Sequence, residues 1–129
     1  MSPVSVVGVS HLTAPVEIRE RFAFTPAEAE AVLGGLRAGS EVEEAVLLST
    51  CNRTEVYVCP GGNERVQDAA ERVLSDKAGE VVGGTKQYLY RHDGEASVRH
   101  LYRVAGGLDS LVLGEAEIQG QVKDAYELA

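Results

Sequence analysis

The apolar runs in this chain are all short. Val4-Ser5-Val6-Val7-Gly8-Val9, Ala45-Val46-Leu47-Leu48, Val56-Tyr57-Val58-Cys59 and Gln87-Tyr88-Leu89-Tyr90 extend only a few residues each, and amphipathic stretches separate them. Short runs rich in β-branched and aromatic residues predict strands. After the first run, Thr25-Pro26-Ala27-Glu28 provides a helix cap, a proline suited to the first turn and the acid of a capping box. Ala29, Val32, Leu33 and Leu36 then recur at i, i+3, i+4 and i+7, and Gly39 is a stop, although Gly34-Gly35 should weaken the middle of that helix. After the third run, Val66, Ala70, Val73 and Leu74 mark a second helix over about 64–77. The order βαββαβ predicts an α+β fold of the ferredoxin-like, split βαβ kind: a four-stranded antiparallel sheet with two helices on one face.

Two further helical patterns follow. Glu95 to Val104 places Val98, Leu101, Tyr102 and Ala105 on an apolar stripe, and Gly106-Gly107 breaks it. Another begins near Glu115, with Ile118, Val122, Ala125 and Ala129 on one face. It meets no terminating glycine, which predicts a helix that leads toward another domain. No Gly-rich dinucleotide fingerprint follows a strand and opens a helix.

A chain of 129 residues is one domain's worth, large enough to bury a core. None of its apolar runs approaches the roughly 18 residues a membrane span needs, and Met1-Ser2-Pro3 lacks the character of a signal peptide, so a cytoplasmic protein with no membrane partner is expected. The formal net charge of −8 does not suit a module that binds nucleic acid mainly through phosphates; any RNA contact must be local or shared. Two cysteines outside any CxxC or zinc spacing predict neither a disulfide scaffold nor a metal site.

Cys51 nevertheless stands out. It lies at a strand end, in the connection Thr50-Cys51-Asn52-Arg53, where exposure and the neighbouring guanidinium favour the nucleophilic thiolate. Cys59, in an apolar strand with no adjacent base, reads as structural. His100 falls about 200° around its helix from Val98, away from the predicted stripe, as either a solvated residue or one lining a pocket where it moves protons. His11 and His92 receive no role. Asp109, Ser110, Glu115, Glu117 and Gln121 are polar groups at a glycine-rich helix junction, suited to capping as well as to binding.

Four separated stretches resemble the glutamyl-tRNA reductase family, N-terminal catalytic domain. They are Gly8-Val9-Ser10-His11-Leu12-Thr13-Ala14-Pro15-Val16 with Arg19-Glu20; Leu48-Ser49-Thr50-Cys51-Asn52-Arg53-Thr54-Glu55; His100-Leu101-Tyr102-Arg103-Val104-Ala105 running into Gly107-Leu108-Asp109-Ser110-Leu111-Val112-Leu113-Gly114-Glu115; and Ile118-Gln119-Gly120-Gln121-Val122-Lys123. The resemblance implies a catalytic domain over 1–113, then a last helix over 114–129 leading toward a spinal helix, with NADPH-binding and dimerisation domains beyond it. It implies an oxidoreductase that reduces the glutamyl group of glutamyl-tRNA(Glu) to glutamate-1-semialdehyde with NADPH, opening tetrapyrrole synthesis. Its implied partners are a second copy in a homodimer and the aminomutase that consumes the semialdehyde.

By position, the resemblance makes Cys51 the nucleophile and His100 a catalytic histidine. Thr50, Asn52, Arg53, Ser110, Glu115, Ala116, Glu117 and Gln121 would surround the glutamyl group. At Ala116 and Glu117 the family often has Pro-Gln, and a carboxylate in place of an amide exchanges a donor for an acceptor. Arg53 suits a substrate carboxylate, which it can grip bidentately, and Glu115 or Glu117 the substrate ammonium. Two rivals are a thiol hydrolase using Cys51 and His100, and a ferredoxin-like binding module without catalysis.

Overall fold

The computed structural model describes residues 4–39, 41–106 and 117–128, with the backbone alone for 117–120. Four strands, β1 (Ser5–Ser10), β2 (Glu44–Ser49), β3 (Arg53–Cys59) and β4 (Tyr90–Asp93), form one antiparallel sheet in the order β2-β3-β1-β4. Between them run α1 (Val16–Phe22), α2 (Pro26–Ala38) and α3 (Glu64–Ala78), and after them α4 (Gly94–Ala105) and α5 (Glu117–Leu128). This is the α+β, four-stranded antiparallel architecture read from the sequence, with the central β1 and β3 buried along nearly their whole length.

Side chains alternate across a strand, so the register assigns two faces. Val7, Val9, Ala45, Leu47, Val56 and Val58 face α1, α2 and α3 and pack with Phe22, Leu33, Val66 and Leu74 into the main core. The local signals for these helices behave as expected. Thr25 and Glu28 form the reciprocal capping box of α2, and Asn63 caps α3 by accepting from Arg65 N and Val66 N. The opposite face carries Ser10, Arg53, Glu55, Tyr57, Tyr90 and His92, with Val46 and Leu48 toward the β2 edge. α4 and α5 cover it, and Leu48, Val104 and Ala125 make a smaller core there.

Three expectations are corrected. Gln87–Tyr90 is not the fourth strand: Lys86–Tyr88 is a 3-10 turn and the strand is Tyr90–Asp93. Its polarity hides it, because Arg91 faces α3 and pairs with Asp68 and Glu71 while Asp93 accepts from Gln67. α1 is an element the apolar pattern did not signal; only Phe22 of its seven residues is buried. α4 is rotated relative to the predicted stripe. Ser97 and Val104 are fully buried and His100 and Leu101 half-buried, whereas Val98 and Tyr102 are exposed. The sheet face beneath it is polar, so a serine and a histidine are what it turns inward.

Gly8 is required where β1 crosses this face. A Cβ there would lie 2.7 Å from Glu55 Cγ, 2.9 Å from Thr54 O and 3.0 Å from the Tyr90 hydroxyl. The backbone oxygen cannot yield as a flexible side chain could, so Gly8→Ala is expected to lower stability by about 1–3 kcal/mol, the usual cost of overpacking. Urea unfolding of the variant checks this; an unchanged midpoint would show that the space is available after all.

Candidate active site

The β2–β3 connection is built to hold Cys51 still. Only Cys51 and Asn52 separate the paired Thr50 and Arg53, whose closure is the 2.7 Å bond from Thr50 N to Arg53 O. Two-residue hairpins usually need residues with positive φ, yet no non-glycine residue among those described has one. Side chains compensate. The Thr50 hydroxyl accepts from Asn52 N at 3.1 Å and Arg53 N at 3.3 Å, and Ser49 Oγ bonds Thr54 Oγ1 at 3.1 Å. Asn52 is buried and its carbonyl accepts from His11 N at 2.9 Å. On this frame Cys51 is a free, exposed thiol. Cys59 is half-buried, and burial together with Glu44 and Glu43 pushes its thiol up, away from reactivity.

Beside the turn, strand alternation places Arg53, Glu55 and Tyr57 on the face covered by α4. Glu55 is completely buried and is the centre of the site. Its Oε1 accepts from the Tyr57 hydroxyl at 2.9 Å; its Oε2 accepts from the Tyr90 hydroxyl at 2.5 Å and from His100 Nε2, and lies 3.4 Å from Arg53 Nη1. Burial alone would push this carboxyl up. The hydrogen bond and charge of His100, the Arg53 guanidinium and the Tyr90 hydroxyl outweigh it and hold the group below the usual carboxylate range. Burial first, then the Glu55 charge and hydrogen bond, keep both tyrosines protonated. The site thus holds one buried anion, a buried guanidinium and an imidazole whose Nε2 proton is committed to the carboxylate.

These groups open onto a pocket of about 360 Å³ lined by Ser10, Leu12, Thr13, Arg53, Tyr90, His92, His100 and Arg103. The rings of His92 and His100 lie 4.7 Å apart, centroid to centroid. Among the described residues the guanidinium groups of Arg53 and Arg103 outnumber the single carboxylate of Glu55 here, which favours an anionic ligand.

Of the residues singled out in the sequence, Arg53 and His100 meet in this pocket, and Thr50, Cys51 and Asn52 form the turn next to it. Cys51 is not among the pocket's lining residues, although Arg53 is two positions away. Gln121 lines a different cavity, of about 280 Å³, with Ser49, Phe24 and Asp124. Ser110, Glu115 and Ala116, like Asp109, lie outside the described residues, and the side chain of Glu117 is likewise not described. Sequence reading missed Glu55, Tyr90 and His92 as site residues. The available signal was an acid at the interior of an otherwise apolar strand, with Arg at i−2 and Tyr at i+2 on the same face.

Comparison with known proteins bears on this arrangement. Residues 7–129 match the family described as glutamyl-tRNAGlu reductase, N-terminal domain. Similar relatives include glutamyl-tRNA reductases of Rubrobacter xylanophilus, 49% identical over 126 residues, and Marinobacter nauticus, 52% identical over 126 residues. These alignments cover 98% and 95% of this chain but only 29% and 28% of the relatives. A solved structure of the glutamyl-tRNA reductase from Methanopyrus kandleri superimposes over 100% of this chain and 28% of its own length, at a TM-score of 0.78 and 32% identity.

Proposed function

Since this chain belongs to the glutamyl-tRNA reductase family, as its N-terminal domain, we propose that it is the acyl-accepting part of such a reductase. In this reading Cys51 takes the glutamyl group from the 3′ ester of glutamyl-tRNA. The observation that carries it is an exposed thiol on a hydrogen-bonded turn, two residues from Arg53, which with Glu55 is buried, meets half-buried His100 through that carboxylate and lines a pocket with Arg103.

Cys51 gives up its proton to solvent and its sulfur attacks the ester carbonyl carbon. A C–S bond forms, the C–O bond to the ribose breaks, and the enzyme holds a glutamyl thioester. The departing ribose oxygen needs a proton. In this reading His100 delivers it: Glu55 holds Nε2 and fixes the ring, which makes Nδ1 the atom that passes a proton to the ribose oxygen. Arg53 and the other cations of the pocket bind the carboxylate of the glutamyl side chain; a glutamine would leave that charge unanswered. Thr50 and Asn52 hold the turn; the family resemblance, and no contact among the described residues, is what assigns Ser110, Glu115, Ala116, Glu117 and Gln121 to the glutamyl group, and Gln121 lines the neighbouring cavity.

NADPH, which the family implies for the complete reduction, does not fit the described residues. The first amides of α2 and α3 are taken by Thr25 and Asn63, and α4 starts behind the carboxylate of Asp93. No described helix start offers the Gly-rich phosphate cradle a dinucleotide uses. The hydride step is therefore assigned to no residue of this chain, and the semialdehyde product, the aminomutase that would consume it and the homodimer belong to the whole reductase in this reading.

The test is peptide mapping after incubation with glutamyl-tRNA: a hydroxylamine-labile glutamyl group is expected on the Cys51 peptide. In a His100→Ala chain its rate of formation should fall by about 10²–10⁴-fold, the usual worth of general acid catalysis. A stable wild-type adduct on some other residue, or unchanged rates in the variant, would remove the corresponding role.

A further inference from the structure

The outer side of α4 carries a strip that acyl transfer leaves unused. Val98 and Tyr102, one turn apart, are 43% and 75% exposed, and Arg99 and Arg103 run beside them at the same spacing. With Glu95 these residues line a shallow groove of about 350 Å³. Arg103 lines both this groove and the pocket that holds His100 and Arg53, so the two share a wall. The strip's orientation is fixed, because the inward side of the same helix is held by the His100–Glu55 bond and by fully buried Ser97 and Val104.

With a net charge of −8, attraction for phosphate has to be local. The end of the molecule around α4 is where it is: Arg53, His92, Arg99, His100 and Arg103 gather there. Among the described residues of these two sites the acids are Glu55, buried and bonded to His100, and Glu95, paired with Arg99 at 2.9 Å. An exposed aromatic ring flanked by guanidinium groups is what single-stranded nucleic acid stacks on. One valine and one tyrosine are too little apolar surface to anchor a protein partner.

We infer that this strip seats the single-stranded 3′ end of the RNA whose terminal ribose bears the ester, with Tyr102 stacked on a base and Arg103 on a phosphate next to the pocket. The inference rests on the acyl-transfer reading, in which the ester must reach the pocket and the adjoining nucleotides must therefore lie against its walls.

The experiment measures binding of an uncharged RNA hairpin with a single-stranded CCA 3′ tail by fluorescence anisotropy. Tyr102→Ala is expected to weaken binding about tenfold, the worth of one stacked base, and Tyr102→Phe to preserve it. Arg103→Gln should lower the slope of log affinity against log salt by about 0.7, one single-strand phosphate contact. Glu95→Gln, by removing an acid from the track, should tighten binding. In the charged reaction, Tyr102→Ala should raise KM for glutamyl-tRNA and leave acylation by a small glutamyl thioester unchanged. Equal affinity of Tyr102→Ala and wild type, or of tailed and blunt hairpins, overturns the strip, including the case where it serves a protein instead. If the small thioester still acylates Cys51 in that event, only the strip has failed. If Tyr102-dependent RNA binding is found without acylation of Cys51, the acyl-transfer reading has failed and the strip stands.

Discussion

A Cys51→Ser chain is expected to fold as the parent does and to form the glutamyl adduct at least roughly 10³-fold more slowly. The fold should be indifferent because the side chain is exposed and the turn is held by others: the Thr50 hydroxyl, the Ser49–Thr54 pair and the His11–Asn52 bond. The chemistry should not be indifferent. A serine hydroxyl titrates far above neutrality, whereas a thiol begins within a few units of it and is the better nucleophile once ionised. Cys59→Ser is the internal control. That thiol is pushed away from ionisation by burial and by Glu44 and Glu43, so adduct formation should stay near the parent's rate. Rapid-quench mass spectrometry of the three chains decides the matter. If Cys51→Ser is acylated at the parent's rate, sulfur at this position is not the nucleophile.

What could be read in the sequence divides along the two faces of the sheet. Away from β4, the face toward α1, α2 and α3 is mostly apolar, so its residues obey simple periodicity. Ala29, Leu33 and Leu36 of α2, and Val66, Ala70 and Leu74 of α3, are buried as their spacing predicts. The other face is where periodicity fails, for one physical reason: it buries a charge network in place of hydrocarbon. β4 escapes periodicity on both faces: Tyr90 and His92 turn to the polar side, while Arg91 and Asp93 meet Asp68, Glu71 and Gln67 of α3. α4 was rotated because a rule that sends apolar residues inward cannot anticipate that Ser97 and His100 turn in and Val98 and Tyr102 turn out. Glu55 escapes notice because the apolar run begins at Val56, whereas β3 begins at Arg53 and brings Glu55 to where Arg53, Tyr57, Tyr90 and His100 converge. Local conflict between propensity and fold is expected at functional sites, and here the conflicts mark the candidate site itself.

Replacing Glu55 should therefore have the largest effect on the fold of any single change at the site. The carboxylate accepts from two tyrosines and a histidine and faces a guanidinium that is 1% exposed, so its removal takes the anion from a buried ion pair and the acceptor from three donors. Breaking one side of a buried ion pair costs about 3–5 kcal/mol, a large part of the roughly 5–15 kcal/mol that holds a domain together. Glu55→Ala is expected to lose that amount in urea unfolding at pH 7. Glu55→Gln, which keeps two polar atoms in place but not the charge, should lose less. The pH dependence separates electrostatics from packing. The folded carboxyl titrates below its unfolded counterpart, so its stabilisation is complete above the unfolded value near 4.5 and drains away as pH falls through the lower folded value. The parent chain should accordingly weaken below about pH 4.5 more steeply than Glu55→Gln, which has no such proton to take up. Parallel stability curves for the two chains between pH 7 and pH 3 would mean that Glu55 is held by shape rather than by charge. His100 would then lose the charged partner that is proposed to fix its ring through Nε2.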